Sequence, residues 1–301
     1  MSKQSVNEEK EMTFGEHLDE LRKILIRVAI VIVVLFIAMF AIDNVWLDIL
    51  LGPSNASFPT YRFFNWFAGV IDSDALRISP ANNFDLINTK VAGQFMLAMK
   101  SAFIGSLIVA VPYLIFELWL FVKPAIPVKM QRKCARYAMI TPLWFFGGLL
   151  FGYFVIVPLT INFLTNYTID QVAIQNLITP DSFISTVIGV SMAAGITFLL
   201  PMFIRLIANM GLVTAPTLKQ YRKHAVAVLI IFAAIITPPD VFSQILIFIP
   251  CYIMYEYGIR IAAHIDAERE AAEKAQGAKA VAAAVEDDDE VEDRETVKYD
   301  D

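Results

Sequence analysis

The chain has 301 residues, 57% of them apolar and only 18% charged, with a mean hydropathy of +0.59. A water-soluble globule cannot hide that much apolar surface behind so few charges, so a polytopic membrane protein is expected instead. The net charge of −6 belongs to the end of the chain: the last 21 residues, from Val281, hold ten acids and two bases, which leaves about +2 for everything before them.

The first 23 residues are polar, with no apolar stretch near Met1, so no cleavable signal peptide is expected. Thr13-Phe14-Gly15-Glu16 forms a capping box, which predicts a helix that begins well before the membrane. Its first turns carry His17, Asp19, Glu20, Arg22 and Lys23. On residue pattern alone, these acids read as a helix start favoured by the macrodipole, with Asp19 able to pair with Lys23. The first span is predicted over 24–42, and Arg27 in its first turn is expected to snorkel back to the interface. In the loop 43–90, Tyr61, Phe63, Phe64, Trp66 and Phe67 predict a short amphipathic helix at headgroup level.

The second span is expected over 95–116 with a kink at Pro112, the third over 137–163 and the fourth over 183–207. Gly147, Gly148 and Gly152, and then Gly189, Ser191, Ala193, Ala194 and Gly195, permit close helix–helix approach. The fifth span, 225–237, has 13 residues and covers only ~20 Å of a ~30 Å hydrocarbon core. After Pro238-Pro239-Asp240, the sixth, 241–259, contains Gln244, Pro250 and Glu256. So short a hairpin must thin the bilayer or be shielded by neighbouring helices.

Basic residues cluster before the first span (Lys3, Lys10, Arg22, Lys23), after the second (Lys123, Lys129, Arg132, Lys133, Arg136) and after the fourth (Lys219, Arg222, Lys223). The opposite side has Arg62, Arg77 and Lys90 spread over a 48-residue loop. The positive-inside rule then places both termini in the cytoplasm. The expected organisation is a cytoplasmic segment 1–23, a six-span all-α membrane domain 24–260 with an aromatic-rich external cap, and a cytoplasmic tail 261–301. In that tail 262–284 extends as a helix and the acidic 286–301 is disordered.

Chemistry-bearing groups are few. His17, His224 and His264 are scattered, Cys134 and Cys251 read as free thiols, and there is no HExxH or GxSxG. Neither catalysis, nor a metal or cofactor, nor a nucleic-acid partner is expected. A small-solute transporter would need midplane charges and broken helices in matched halves, which this chain hardly offers. Glu117 is either an interfacial acid reaching water or Lys123, or part of a binding site; Glu256 is expected to pair with Arg260. Asp240 reads as a helix cap, and Gln244 as a polar group seeking a partner on another helix.

His17-Leu18-Asp19-Glu20-Leu21-Arg22 leading into a span resembles the start of the TatC family. Leu51-Gly52-Pro53, Phe121-Val122-Lys123-Pro124-Ala125 and Thr237-Pro238-Pro239-Asp240-Val241-Phe242-Ser243-Gln244 follow in the family's order, with Pro250, Tyr252 and Glu256 after them. The resemblance implies the signal-receptor subunit of a twin-arginine protein translocase in a bacterial inner membrane. Such a subunit binds signal peptides bearing two arginines and recruits small single-span partners of the TatA and TatB type. Within a larger complex holding several copies, it moves folded proteins by the proton-motive force. It implies Glu20 as the signal-binding acid, shaped by His17, Leu21 and Arg22, with Phe121 and Pro124 as a neighbouring wall. Glu117 would compensate for missing acids, Thr237 and Gln244 would contact the small subunits, and Pro53, Pro238, Pro239, Asp240 and Glu256 would form the functional turns. A carboxylate suits this task, because bidentate hydrogen bonds to a guanidinium are strong and selective. The chain departs from the family pattern in the first cytoplasmic loop, where Pro127–Arg132 carries no acid. It departs again in the fourth span, where Phe198-Leu199-Leu200-Pro201 lacks the glutamate common in that setting.

Overall fold

The computed structural model describes residues 14–71, 86–126, 128–167, 178–236 and 241–296. The chain enters through helix α1 (Phe14–Ala41), followed by α2 (Asp43–Leu51), a 3-10 turn at Gly52–Ser54 and α3 (Pro59–Ile71). Next come α4 (Gly93–Val122), α5 (Val128–Phe151), a π-helical turn at Gly152–Ile156 and α6 (Val157–Asn166). The last four are α7 (Pro180–Asn209), α8 (Ala215–Gln220), α9 (Arg222–Ile236) and α10 (Val241–Thr296).

Five segments among the described residues are long and apolar enough to cross a membrane: Leu18–Ala41, Gly93–Val122, Met130–Asn166, Pro180–Asn209 and Gln244–Ala278. The expected fifth span corresponds to α9, whose 15 residues rise only about 22 Å, short of a ~30 Å hydrocarbon core. Pro112 is accommodated inside an uninterrupted α4. At the far end, α10 runs on to Thr296, into the acidic segment expected to be disordered. The alanines at 278, 280 and 282–284 are the strongest helix formers and favour continuation of the helix.

Pairwise contacts fix the directions of the helices. Phe36 meets Phe103, Phe40 meets Phe95 and Arg27 meets Glu117, so α1 and α4 are antiparallel. Thr197 touches Cys251 at 3.0 Å and a Cβ on Gly258 would strike Ile204, so α7 and α10 are parallel. The α9–α10 pair is again antiparallel, joined at Gln244–Ile230 and Arg222–Glu256. The main core sits on α7, whose Ile184, Val187, Val190 and Ala193 are buried against α6 and α10. The outer flank of α1 is a run of exposed Val33, Val34 and Ile37, apolar surface that only lipid or a partner can cover.

Two prolines organise the end at which α1 exits. Pro53 lacks an N–H, so the carbonyl four residues earlier, on Ile49, loses its helical donor. Gly52 N–H and the hydroxyl of Tyr153 donate to it instead. Pro158 likewise frees the Phe154 carbonyl, and the Thr60 hydroxyl donates to that one. Pro53, itself buried, accepts at 3.0 Å from Tyr61, which is 0% exposed and packs with Phe58 beneath α3. Burial pushes the Tyr61 phenol well above its ordinary value, so it stays a neutral donor. The predicted aromatic helix therefore exists as α3 with two faces: Tyr61 points inward, while Phe63, Trp66 and Phe67 are exposed. Tyr61→Phe should cost about 1–3 kcal/mol by orphaning the buried Pro53 carbonyl. Chemical unfolding in detergent reads this, and an unchanged midpoint would show that the hydrogen bond carries nothing.

Candidate functional site

The α1–α4 pair carries the acid singled out above. Arg27 NH2 donates to Glu117 Oε2 at 2.8 Å, and the Tyr113 hydroxyl donates to Glu117 Oε1 at 2.6 Å. Taking that contact as a level, Glu20 lies two helical turns, about 10 Å, toward the start of α1. Phe121 and Pro124 lie about 6 and 10 Å toward the end of α4 and its following 3-10 turn. Because the helices run antiparallel, all three sit at the same end of the pair.

Glu20 is half-buried, and its Oε2 atom is shut off from solvent with no hydrogen-bond partner among the described residues. A carboxylate oxygen in that state carries a desolvation cost of a few kcal/mol that a cationic donor would relieve. Leu21 beside it is half-buried and Arg22 exposed; the side chain of His17 lies outside the described residues. Phe121 is half-buried and Pro124 exposed. Gln131 holds this turn in shape by donating to the Ile126 carbonyl at 2.9 Å. In the loop that lacks an acid, an amide thus does a structural job that the sequence reading did not foresee.

Two expectations for this region are corrected. Glu117 neither reaches water nor pairs with Lys123: it is 3% exposed and held by Arg27 and Tyr113. Arg27, 51% exposed, does not simply snorkel but bridges to α4. The cause is the antiparallel packing, which sets Arg27 opposite Glu117, where a charge-assisted pair relieves the buried acid.

At the α9–α10 hairpin, Glu256 forms its ion pair with Arg222 and not with Arg260. Arg222 NH2 donates to Oε2 at 2.9 Å, while its Nε lies 2.8 Å from Oε1, off the hydrogen-bond direction. The hairpin brings the start of α9 across from Glu256, a geometry that i,i+4 spacing cannot reveal. Gln244 donates to the Ile230 carbonyl at 3.2 Å, so its amide is used within the chain. Thr237, Pro238, Pro239 and Asp240 lie outside the described residues. Pro53 lies at the other end of α1, against Tyr61 of α3. The sequence reading also passed over Lys100 inside the second span, which pairs with Asp181 at 2.9 Å and donates to Ser185.

Long apolar helices packed around α7 define an all-helical, multi-pass membrane protein. The family model for the Sec-independent protein translocase protein, TatC, matches residues 16–250. The TatC protein of Blattabacterium sp. subsp. Periplaneta americana is 35% identical over 265 residues, covering 87% of this chain and 99% of that one. The TatC protein of Escherichia coli K12 is 29% identical over 243 residues, covering 81% and 85%. A crystal structure of the twin arginine translocase receptor TatC superimposes with a TM-score of 0.67 at 26% identity, covering 82% of this chain and 98% of that one. The chain belongs to the TatC family, membrane components of the Sec-independent protein translocase, a transport family and not an enzyme family.

Proposed function

We propose that this chain is the receptor subunit of a twin-arginine translocase and binds arginine-pair signal peptides with Glu20. The single observation that carries the reading is the solvent-excluded, unpartnered Oε2 of Glu20 at the exposed start of α1. A guanidinium offers several donors in a fixed fork and matches such an oxygen better than an ammonium does. Leu21 and Arg22 border the acid, His17 stands one turn before it in α1, and Phe121 and Pro124 supply an apolar edge at the same end. Glu117 acts indirectly, by anchoring α1 to α4 through Arg27.

Six crossings are proposed, α9 being the short fifth, with both termini in the cytoplasm of a bacterial inner membrane. The alternating helix directions and the basic clusters at the Glu20 end support that orientation. The α3 helix with its exposed Trp66 is then a cap on the outer face. Small single-span subunits dock at the α9–α10 hairpin near Thr237 and Gln244. Several copies of the chain assemble with them, and the proton-motive force drives folded cargo across.

Export of a folded fluorescent reporter bearing a twin-arginine signal tests this in cells that lack their own receptor subunit and keep this protein's small partners. The parent chain should export it. Glu20→Gln, inserted to the same level, should lower export roughly tenfold or more, since a hydrogen bond to a charged group contributes about 1.5–3 kcal/mol. Equal export by both would move recognition away from Glu20. No export by a well-inserted parent would sink the receptor reading.

A further inference from the structure

On the face of α4 turned away from Glu117, the last turns of α4 stand apart from α5 and α7 and leave a cavity of about 290 Å³. Its walls are apolar, with Leu118, Trp119, Leu199 and Phe203 prominent, and among the described residues the only charged side chain lining it is Arg205. Leu118 and Phe203 are also among the exposed large apolar residues, so the cavity opens toward the membrane. Arg205 sits one turn before the end of α7, at the same end of the molecule as Glu20.

The state of Arg205 says what the cavity is for. One NH2 donates to the Tyr137 hydroxyl at 2.7 Å, and the guanidinium carbon lies 3.6 Å from the centre of that ring. Its Nε is shut off from solvent and has no acceptor, and no carboxylate among the described residues pairs with it. The fourth-span position Leu199 lines the same cavity as a hydrocarbon, so no counter-ion comes from there either. A guanidinium stacked on an aromatic ring with a buried, unused N–H is incomplete without an anionic oxygen.

We propose that this cavity is a binding site for an anionic phospholipid: its phosphate accepts from Arg205 and one acyl chain fills the apolar slot between α4, α5 and α7. Charge complementarity and the opening toward the membrane argue for a lipid. An apolar partner helix would cover the walls but leave the guanidinium without an acceptor. The site stands on the far side of α4 from the Glu20–Glu117 row, so it does not depend on the receptor reading.

The test is native mass spectrometry of the full chain in detergent, titrated with phosphatidylglycerol or with phosphatidylcholine of the same acyl chains. The wild type should retain phosphatidylglycerol at least tenfold better, and inorganic phosphate alone should not displace it. Arg205→Gln should abolish that preference, and Arg205→Lys should keep most of it. Leu199→Trp leaves Arg205 in place but fills the slot, and should lower binding of both lipids at least fivefold. This variant still decides the matter if Arg205→Gln does not fold. Equal retention of the two lipids by the wild type, an unchanged preference in Arg205→Gln, or undiminished binding in Leu199→Trp would each overturn the proposal. So would protection of Phe203 from labelling by a single-span partner peptide but not by lipid.

Discussion

Arg27→Ala is expected to destabilise the protein by about 3 kcal/mol, the low end of the range for breaking a buried ion pair. The substitution leaves Glu117, 3% exposed, with the Tyr113 hydroxyl as its only described partner. Arg27 itself is half in solvent, so little is lost on its side; the cost comes from stranding the acid. Glu117→Gln should be milder, because a neutral amide can keep the Tyr113 contact and the freed Arg27 can turn toward water. The double variant Arg27→Gln, Glu117→Gln should recover at least half of the loss. Thermal unfolding of the purified chain measures all three. If Arg27→Ala unfolds at the wild-type temperature, or the double variant is worse than Arg27→Ala, the pair does not hold α1 on α4. Export by these variants should fall only to the extent that the α1–α4 angle changes.

Gly152→Leu should be of similar size, above about 3 kcal/mol, with a loss of correctly folded protein. A Cβ on Gly152 would lie 2.8 Å from Ala194 Cβ, 2.9 Å from Ser191 Cα and 3.2 Å from the Val190 carbonyl oxygen. Two of those are backbone atoms, so nothing can rotate aside and α7 itself must move. Inserting even small groups into a packed core costs typically 1–3 kcal/mol, and a leucine adds four carbons. Gly147 provides the control: nothing lies within 4 Å of its Cβ position. Gly147→Ala should be neutral, or stabilising by up to about 1 kcal/mol through helix propensity. Detergent-solubilised yield and unfolding midpoints compare the two, and equal behaviour would mean that the close approach of the π-helical turn to α7 is not needed.

This contrast shows what pattern reading resolves. Hydropathy was enough to place the long apolar helices, because crossing a bilayer demands about 20 apolar residues in a row wherever the helix packs. The shortness of α9 was visible in the same way, since length is a local property. The candidate acid Glu20 was legible from its motif. Its unpartnered oxygen was not, because solvent exclusion there is created by neighbours distant in the chain. Glu256 was rightly read as half of an ion pair and assigned the wrong arginine, since spacing along one helix is silent about Arg222 on another.

Glu117 makes the same point at the site. Its position near the end of a span suggested water, Lys123 or a ligand. Its actual partner, Arg27, comes from a helix 90 residues earlier. Composition and periodicity thus settle which segments are helical and apolar, because those follow from each residue's own transfer and propensity energies. Which charges face each other, which glycines are indispensable, and which carbonyl a hydroxyl rescues depend on distances between helices. Those distances are set by side chains packing across the whole bundle, and no local run of residues contains them.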